Sequence, residues 1–430
     1  MMLFVSLLLS CCLQAATAAD SVVIPGSDAA VNLLGRVNTQ RFEACPSTTR
    51  ADTGGTCSVL PCDSWRGPGV SCVSGKCVCP AGQCVSWKGE CTLEGAVGFD
   101  WPASGVSFLV EGTGSVDVLL NGDGADFVVE INNASPGRRF STTADTSEMH
   151  TLANFTSSER RLVTLMRATE YTTKGTVLQR IMLRGNTSLV PPSRPAISPP
   201  TEKAGPLLHL EFFGDSDTAG YCILGTPSSL GTQQYEDATQ GYARRIADGL
   251  GASSYHIEAI SGLGVFQNAF ACGSKVMPAY WNQTLQVDAT AKGEWDFSRY
   301  TPTAVVVYLG SNDWAAVTDP PRSDFRQSYR AMLDAMIASY RPSSPRPPAI
   351  INVCGGWSKA RQEPCPDILN VTQTLQKDGF PHTYYVEVPG NLTLKEDLGC
   401  MNHRNVQGQV KVANYLLPRF KAILRMHADA

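Results

Sequence analysis

Ser216 stands in FFGDSDTAG, where an apolar run breaks off at Gly-Asp-Ser. Gly-Asp-Ser alone is a common turn tripeptide, because Gly tolerates unusual dihedrals and Asp and Ser bond their own backbone. A serine hydroxyl is a weak nucleophile until a base takes its proton, so its partners decide. His403, in LGCMNHRNVQGQ, has the side chain whose ordinary pKa suits proton shuttling near neutrality. A tetrahedral intermediate also needs preorganised donors for its oxyanion. The backbone N–H groups of Ser216 and Gly262 and the side-chain amide of Asn312 are the candidates. Glycine at 262 lets the backbone approach closely. Nucleophile, base and oxyanion donors are the parts of acyl hydrolysis, a chemistry that needs no metal and no organic cofactor. Taken singly, each has a structural reading as a turn serine, a helix-flanking histidine or a loop asparagine.

These residues must be positioned by the elements that precede them. LLHLEFF, YHIEAIS, TAVVVYLG, AIINVCGG and TYYVEVPG are apolar, strand-like runs. Between or after them lie helical stretches: YEDATQGYARRIADGL, DFRQSYRAMLDAMIASY, PDILNVTQTLQKDG and NVQGQVKVANYLLPRFKAIL. In the second, Tyr329, Met332, Leu333, Met336, Ile337 and Tyr340 recur at helical spacing. Strands alternating with helices predict an α/β domain with a parallel sheet covered on both faces. Such sheets place their working site at the carboxyl ends of the strands. That is where the polar tips fall: LEFF ends in Gly214-Asp215-Ser216, HIEAI in Ser261-Gly262-Leu263-Gly264, and VVVYL in Gly310-Ser311-Asn312-Asp313-Trp314. His403 comes just before the last helix.

The rest of the 430-residue chain has a different rhythm. LVPPSRPAISPPTEKAGP, residues 189–206, is a proline-rich linker, since proline cannot donate to a sheet ladder and stiffens the chain. Before it, VSFLVEG, SVDVLLNG, DFVVEIN, LVTLMRAT and TVLQRIMLRG are short strands with turn residues between them, the pattern of a β-sandwich over residues 19–188. Eight cysteines between residues 45 and 91 lie in a segment without histidine or paired C-x2-C spacing. They point to a disulfide-rich insertion at about 44–93 rather than zinc. Cys222, Cys272, Cys354, Cys365 and Cys400 follow, and Cys354 and Cys365 are paired here on sequence proximity alone. The first 18 residues read as a signal peptide: an apolar core too short to span a bilayer, then Ala16-Thr17-Ala18. Six N-x-S/T sequons, starting at Asn133, Asn154, Asn186, Asn282, Asn370 and Asn391, fit a secreted glycoprotein. A formal net charge of −4 with no basic tract excludes a nucleic-acid partner, and no later segment suggests a membrane one.

GDS near the start of a domain, then SGxG, then GSND, then a histidine before the last helix resemble the SGNH (GDSL-type) hydrolases. Within them the chain is most similar to carbohydrate esterase family 2, over most of its length outside the signal and the cysteine module. FFGDSDTAGY, AISGLG and LGSNDW carry the likeness in the second half. GRV (35–37), DWPASGVSF (100–108) and RATE (167–170) support it in the first. The resemblance implies an N-terminal jelly-roll followed by a three-layer SGNH domain at 207–430. It implies Ser216 as nucleophile, His403 as base, and Gly262 and Asn312 in the oxyanion hole. It also implies that Trp314 lines the cleft and stacks on sugar, with Asp215 and Asp313 beside it in substrate binding; the structural reading of Trp314 is a packed aromatic.

The chain departs from that pattern where an Asp usually stands two or three residues before the histidine: those places hold Met401 and Cys400. Asp397 is six residues ahead, and Arg404 follows the histidine where proline is common. Three arrangements remain open: Asp397 reaches back, a backbone carbonyl orients the imidazole in a Ser-His dyad, or catalysis is weakened. The function expected is a secreted serine esterase acting on O-acetyl groups of polysaccharides or glycans, with a carbohydrate-binding protein on the same scaffold as the alternative.

Overall fold

The computed structural model describes residues 22–191 and 207–429, apart from 27, 40–51, 171–174, 270–272, 287–292, 342–345 and short stretches between 58 and 94. The expected signal peptide, nearly all of the proline-rich linker, Cys45 and Cys272 lie outside the described residues.

The first half is an antiparallel sandwich. One sheet runs Val22–Pro25, Thr176–Leu183, Gly114–Asn121, Ser147–Phe155, with Val97–Phe99 also pairing with Thr176–Leu183. The other runs Arg138–Ser141, Asp126–Ile131, Arg161–Arg167, Gly105–Glu111, Ser188–Leu189, with Val31–Leu34 on Gly105–Glu111. Side chains alternate across each strand. Val116, Val118 and Leu120 from one sheet therefore meet Val106, Phe108 and Phe127 from the other in one core. The strand Ser147–Phe155 has no apolar alternation, because it is the outermost strand of its sheet and almost all of its side chains meet solvent.

In the cysteine-rich insertion, bonds join Cys57 to Cys72, Cys62 to Cys77 and Cys79 to Cys91. Two small sheets are all the regular structure described there.

The second half is built on five parallel strands: β1 (His209–Gly214), β2 (Ser254–Ala259), β3 (Ala304–Tyr308), β4 (Ala349–Gly355) and β5 (Thr383–Val388). Their spatial order is β2-β1-β3-β4-β5. Successive residues of one strand serve opposite faces. Phe212, Val306 and Ile351 pack under Tyr242, Leu416 and Phe420. Phe213, Val305, Val307 and Ile350 pack against Tyr329, Leu333 and Ile368. A sheet buried on both sides explains why these strands are almost continuously apolar.

The helices are α1 (Ser216–Ala219), α2 (Tyr242–Leu250), α3 (Arg322–Tyr340), α4 (Lys359–Gln362), α5 (Cys365–Lys377) and α6 (Val406–Asp429). The stretch from Tyr235 to Gly241, expected to be helical, is not part of α2. Asp237 caps a separate single turn at Ala238–Gln240, and α2 begins only after Gly241. The strand order reverses direction at β1, so a crevice opens above the carboxyl ends of β1 and β3.

The two halves share buried polar contacts. Arg36, wholly buried at the foot of the sandwich, donates to Glu211 (2.9 Å) and to the carbonyls of Trp281 and Gln283. Trp101 Nε1 donates to the Thr284 carbonyl (3.1 Å), and Arg244 pairs with Glu130 (3.0 Å).

Candidate active site

β1 delivers the serine. His209–Gly214 is buried after its first residue and ends at Gly214, where a Cβ would lie 1.9 Å from Thr218 Oγ1, so the turn closes only on glycine. Asp215 then caps α1: its Oδ1 accepts from Asp217 N at 3.1 Å and its carbonyl from the Thr218 amide. Gly220, at φ 76°, ends the short helix. Ser216 is therefore the first residue of a turn fixed at both ends, 4% exposed. Its amide donates to no backbone acceptor among the described residues.

His403 Nε2 lies 2.8 Å from Ser216 Oγ. Its Nδ1 lies 3.0 Å from the Met401 carbonyl, which can only accept. Nδ1 therefore carries the ring proton and Nε2 presents its lone pair to the serine hydroxyl, the tautomer a general base needs. The Tyr221 ring meets the imidazole edge-on at 5.0 Å. Burial lowers the His403 pKa from its ordinary value and the Arg361 charge adds to this, against Asp217 and Asp215, so the ring is neutral at neutral pH.

Asp397 is elsewhere. Its carboxylate accepts from the Leu394 amide at 2.8 Å and from Lys411 Nζ at 2.6 Å, and its carbonyl accepts from Asn405 N. The structure does not bring it to His403; a main-chain oxygen occupies the position expected of an acid.

Gly262, at φ 80°, and Asn312 lie at the ends of β2 and β3. The Gly262 carbonyl accepts from Ala269 N, and its amide donates to no backbone acceptor among the described residues. Asn312 Nδ2 donates to the Leu263 carbonyl at 2.9 Å and faces Asp215 Oδ2 at 3.4 Å. This ties the β3 loop to both the glycine loop and the serine turn. Asp215 Oδ2 also accepts from Ser311 Oγ at 2.5 Å.

The other expected substrate-binding residues are turned inward. Asp215 is buried in these turn contacts. The Asp313 carboxylate accepts from the amides of Val265, Phe266 and Gln267 at 2.9, 2.7 and 2.9 Å. Burial pushes its carboxyl up to about 6 even so, and it holds the 265–267 loop rather than facing the crevice. Trp314 is 7% exposed, edge-on to Phe325 at 4.7 Å, with the Arg322 guanidinium 5.5 Å from its ring centre. Both contacts come from α3, so the ring packs on that helix.

Three groups were not singled out from the sequence. The Met401 carbonyl belongs to the main chain and leaves no residue-type signal. Glu170 Oε2, from the first half, accepts from Ser261 N at 2.5 Å and so braces the glycine loop across the domain boundary. Asp217 is buried between Arg404 and Arg361. Burial alone would raise its pKa; the two guanidinium groups outweigh that and lower it. Arg404, at the place where proline is common, thus anchors the histidine loop to α1. It also donates to Thr393 and lies over the Trp357 ring at 4.3 Å.

Glu211, His256 and Glu258 present ligand atoms within 4.8 Å of one another. Arg36 fills the ground between them, 2.9 Å from Glu211 and 3.4 Å from Glu258. Burial raises the Glu258 pKa well above its ordinary value and the Glu211 charge adds to it, against the Arg36 guanidinium. The cluster joins the domains, five residues back along β1 from Ser216.

Residues 212–378 match the GDSL-like lipase/acylhydrolase family model, so the second half carries a GDSL-like domain. Cellulase/esterase CelE of Acetivibrio thermocellus is 28% identical over 294 residues, covering 67% of this chain and 33% of that protein. The chain thus spans about a third of the curated relative it matches. Among solved structures, a family two carbohydrate esterase from Clostridium thermocellum in complex with cellohexaose is 23% identical, covering 76% of this chain and 95% of that one at TM-score 0.63. A family two carbohydrate esterase from Cellvibrio japonicus (15% identical) and the acetyl xylan esterase Est2A from Butyrivibrio proteoclasticus (17%) each cover 95% of this chain and 99% of their own at TM-score 0.67. Both the sandwich and the parallel-sheet domain are therefore shared with these structures.

Proposed function

With a GDSL-like acylhydrolase domain as its second half, this chain is, we propose, a serine esterase that removes acetyl or other short acyl groups from carbohydrate. The 2.8 Å contact between Ser216 Oγ and a His403 ring whose far nitrogen is engaged carries this reading. Ser216 Oγ attacks the ester carbonyl carbon while its proton passes to His403 Nε2. The developing oxyanion is met by the amides of Ser216 and Gly262, one such donor being worth about 10²–10³ in kcat; Asn312 joins them only by releasing its Nδ2 contact with Asp215 at 3.4 Å, since its other hydrogen is given to the Leu263 carbonyl. The imidazolium, steadied at Nδ1 by the Met401 carbonyl, gives its proton to the departing sugar oxygen. A water, deprotonated by the same Nε2, then attacks the acyl-serine. Carboxylate leaves and Ser216 regains its proton.

A carbohydrate substrate is supported by the fold shared with a cellohexaose complex and an acetyl xylan esterase. The five disulfide bonds among the described residues support work outside the reducing cytosol. No helix among the described residues is long and apolar enough to cross a membrane.

Acetate release from 4-nitrophenyl acetate and acetylated xylan tests the proposal, wild type beside Ser216→Ala and His403→Ala. Release by wild type alone is expected. Saturable glycan binding with no release from any ester would favour the carbohydrate-binding alternative.

A further inference from the structure

Cys222 and Cys400 are bonded, both wholly buried, across 178 residues of sequence. Their places relative to the chemistry are specific. Cys222 lies six residues after Ser216, just beyond Gly220, which ends the serine turn. Cys400 lies three residues before His403, one of the two places where the resemblance leads one to expect an orienting acid. The bond therefore joins the loop leaving the nucleophile to the loop entering the base.

The backbone on the histidine side is unusual. Met401 and Asn402 have φ of 52° and 57°, and Cys222 has φ of 62°. Non-glycine residues rarely take these values, and two in succession need surroundings that impose them. Through this turn the Met401 carbonyl points back to accept from His403 Nδ1 at 3.0 Å, and His403 N donates to the Cys400 carbonyl at 3.0 Å. The loops fit too closely for another arrangement: a Cβ on Gly399 would lie 2.2 Å from the Cys222 carbonyl, and one on Gly225 would lie 2.8 Å from Cys400 Sγ. Met401 itself is 61% exposed, so no burial of its side chain holds the turn.

We propose that the Cys222–Cys400 disulfide is the positioning element of the catalytic histidine: it holds the Met401 carbonyl against Nδ1 and so does the orienting work that a carboxylate does in a triad. It stands at the acid's sequence position and acts through the backbone instead of touching the ring. This rests on the esterase reading above; a readout that needs no turnover keeps the two separable.

The full-length oxidised protein is compared with Cys222→Ser/Cys400→Ser and with Cys79→Ser/Cys91→Ser as a control in the cysteine-rich insertion. On 4-nitrophenyl acetate, the Ser/Ser pair is expected to lose about 10²-fold in kcat, the cost of a misplaced catalytic group, with KM changed by less than about threefold. The control keeps wild-type kcat. In parallel, nitrogen NMR of the His403 ring is followed in the folded wild type during graded reduction, with opened bonds mapped by thiol labelling. A single Nδ1–H tautomer is expected while Cys222–Cys400 is closed, and a tautomer mixture with a shifted titration midpoint once it opens. If the Ser/Ser pair does not fold, this titration decides alone. The proposal is overturned if the tautomer and midpoint stay fixed with both thiols free, or if a folded Ser/Ser pair keeps wild-type kcat. Absence of turnover in the oxidised wild type would sink the esterase reading, while the ring titration would still report on the disulfide.

Discussion

Replacing Asp397 by alanine separates a dyad from a triad by several orders of magnitude. In a triad, loss of the acid's function costs about 10⁴ in kcat. Here the Asp397 carboxylate instead accepts from Leu394 N at 2.8 Å and from Lys411 at 2.6 Å. Losing a cap of this kind costs about 1 kcal/mol of stability. The ion pair adds no more than about 1 kcal/mol, because Lys411 is 39% exposed and water screens it. The expected outcome for Asp397→Ala is therefore a protein less stable by about 1–2 kcal/mol whose kcat at 25 °C stays within about threefold of wild type. The assay is initial-rate hydrolysis of 4-nitrophenyl acetate at saturating substrate, with thermal unfolding of the same samples. A fall in kcat of about 10³-fold or more, with the fold intact, would refute the assignment of the Met401 carbonyl as the group behind His403.

The remaining expectations follow from the same geometry. Because burial and the Arg361 charge lower the His403 pKa and only the neutral ring is a base, kcat/KM should fall on the acid side with a midpoint below the ordinary histidine value of about 6.5; a midpoint above it in a pH–rate profile would contradict the site's electrostatics. Asp217, whose pKa the two guanidinium groups lower, stabilises the fold above the ordinary aspartate pKa of about 3.9 and less as pH falls through its depressed value, so Asp217→Asn should flatten the acid limb of a stability–pH curve. Glu170→Ala removes the brace on Ser261 N and should lower kcat by about tenfold, roughly the net worth of one hydrogen bond, and an unchanged kcat would show that the glycine loop stands without the first domain. Arg36→Leu leaves the buried Glu211 carboxylate without its guanidinium, with only Tyr340 and His256 beside it, and should cost about 3–5 kcal/mol, read as a lower Tm or as separate unfolding of the two halves in calorimetry.

The parallel sheet was legible because strands buried on both faces are almost continuously apolar, and their polar ends stood out as GDS, SGLG and GSND. That let Ser216, Gly262, Asn312 and His403 be named before any contact was known, and the structure brings Ser216 and His403 to 2.8 Å. What the sequence did not show has physical causes. Trp314 and Asp313 follow Asn312 directly, but what they touch is set by distant segments: Asp313 accepts from the amides of 265–267 and Trp314 packs edge-on to Phe325. Ser147–Phe155 escaped notice because an outermost strand has little apolar alternation to show. The histidine's acceptor is a carbonyl, and its turn is tied by a cysteine pair 178 residues apart, so neither leaves a local pattern. Cys354 and Cys365, only 11 residues apart, were paired correctly from proximity.

The most direct test of the central claim is to trap the acyl group. The oxidised protein is mixed with 4-nitrophenyl acetate, quenched in acid within the first turnover, digested and analysed by mass spectrometry. An acetyl adduct on the peptide containing Ser216 is expected in the wild type and in none of the Ser216→Ala sample, which should also show no turnover. Ester hydrolysis without an adduct at Ser216, continuing undiminished in Ser216→Ala, would contradict a serine nucleophile at the end of β1.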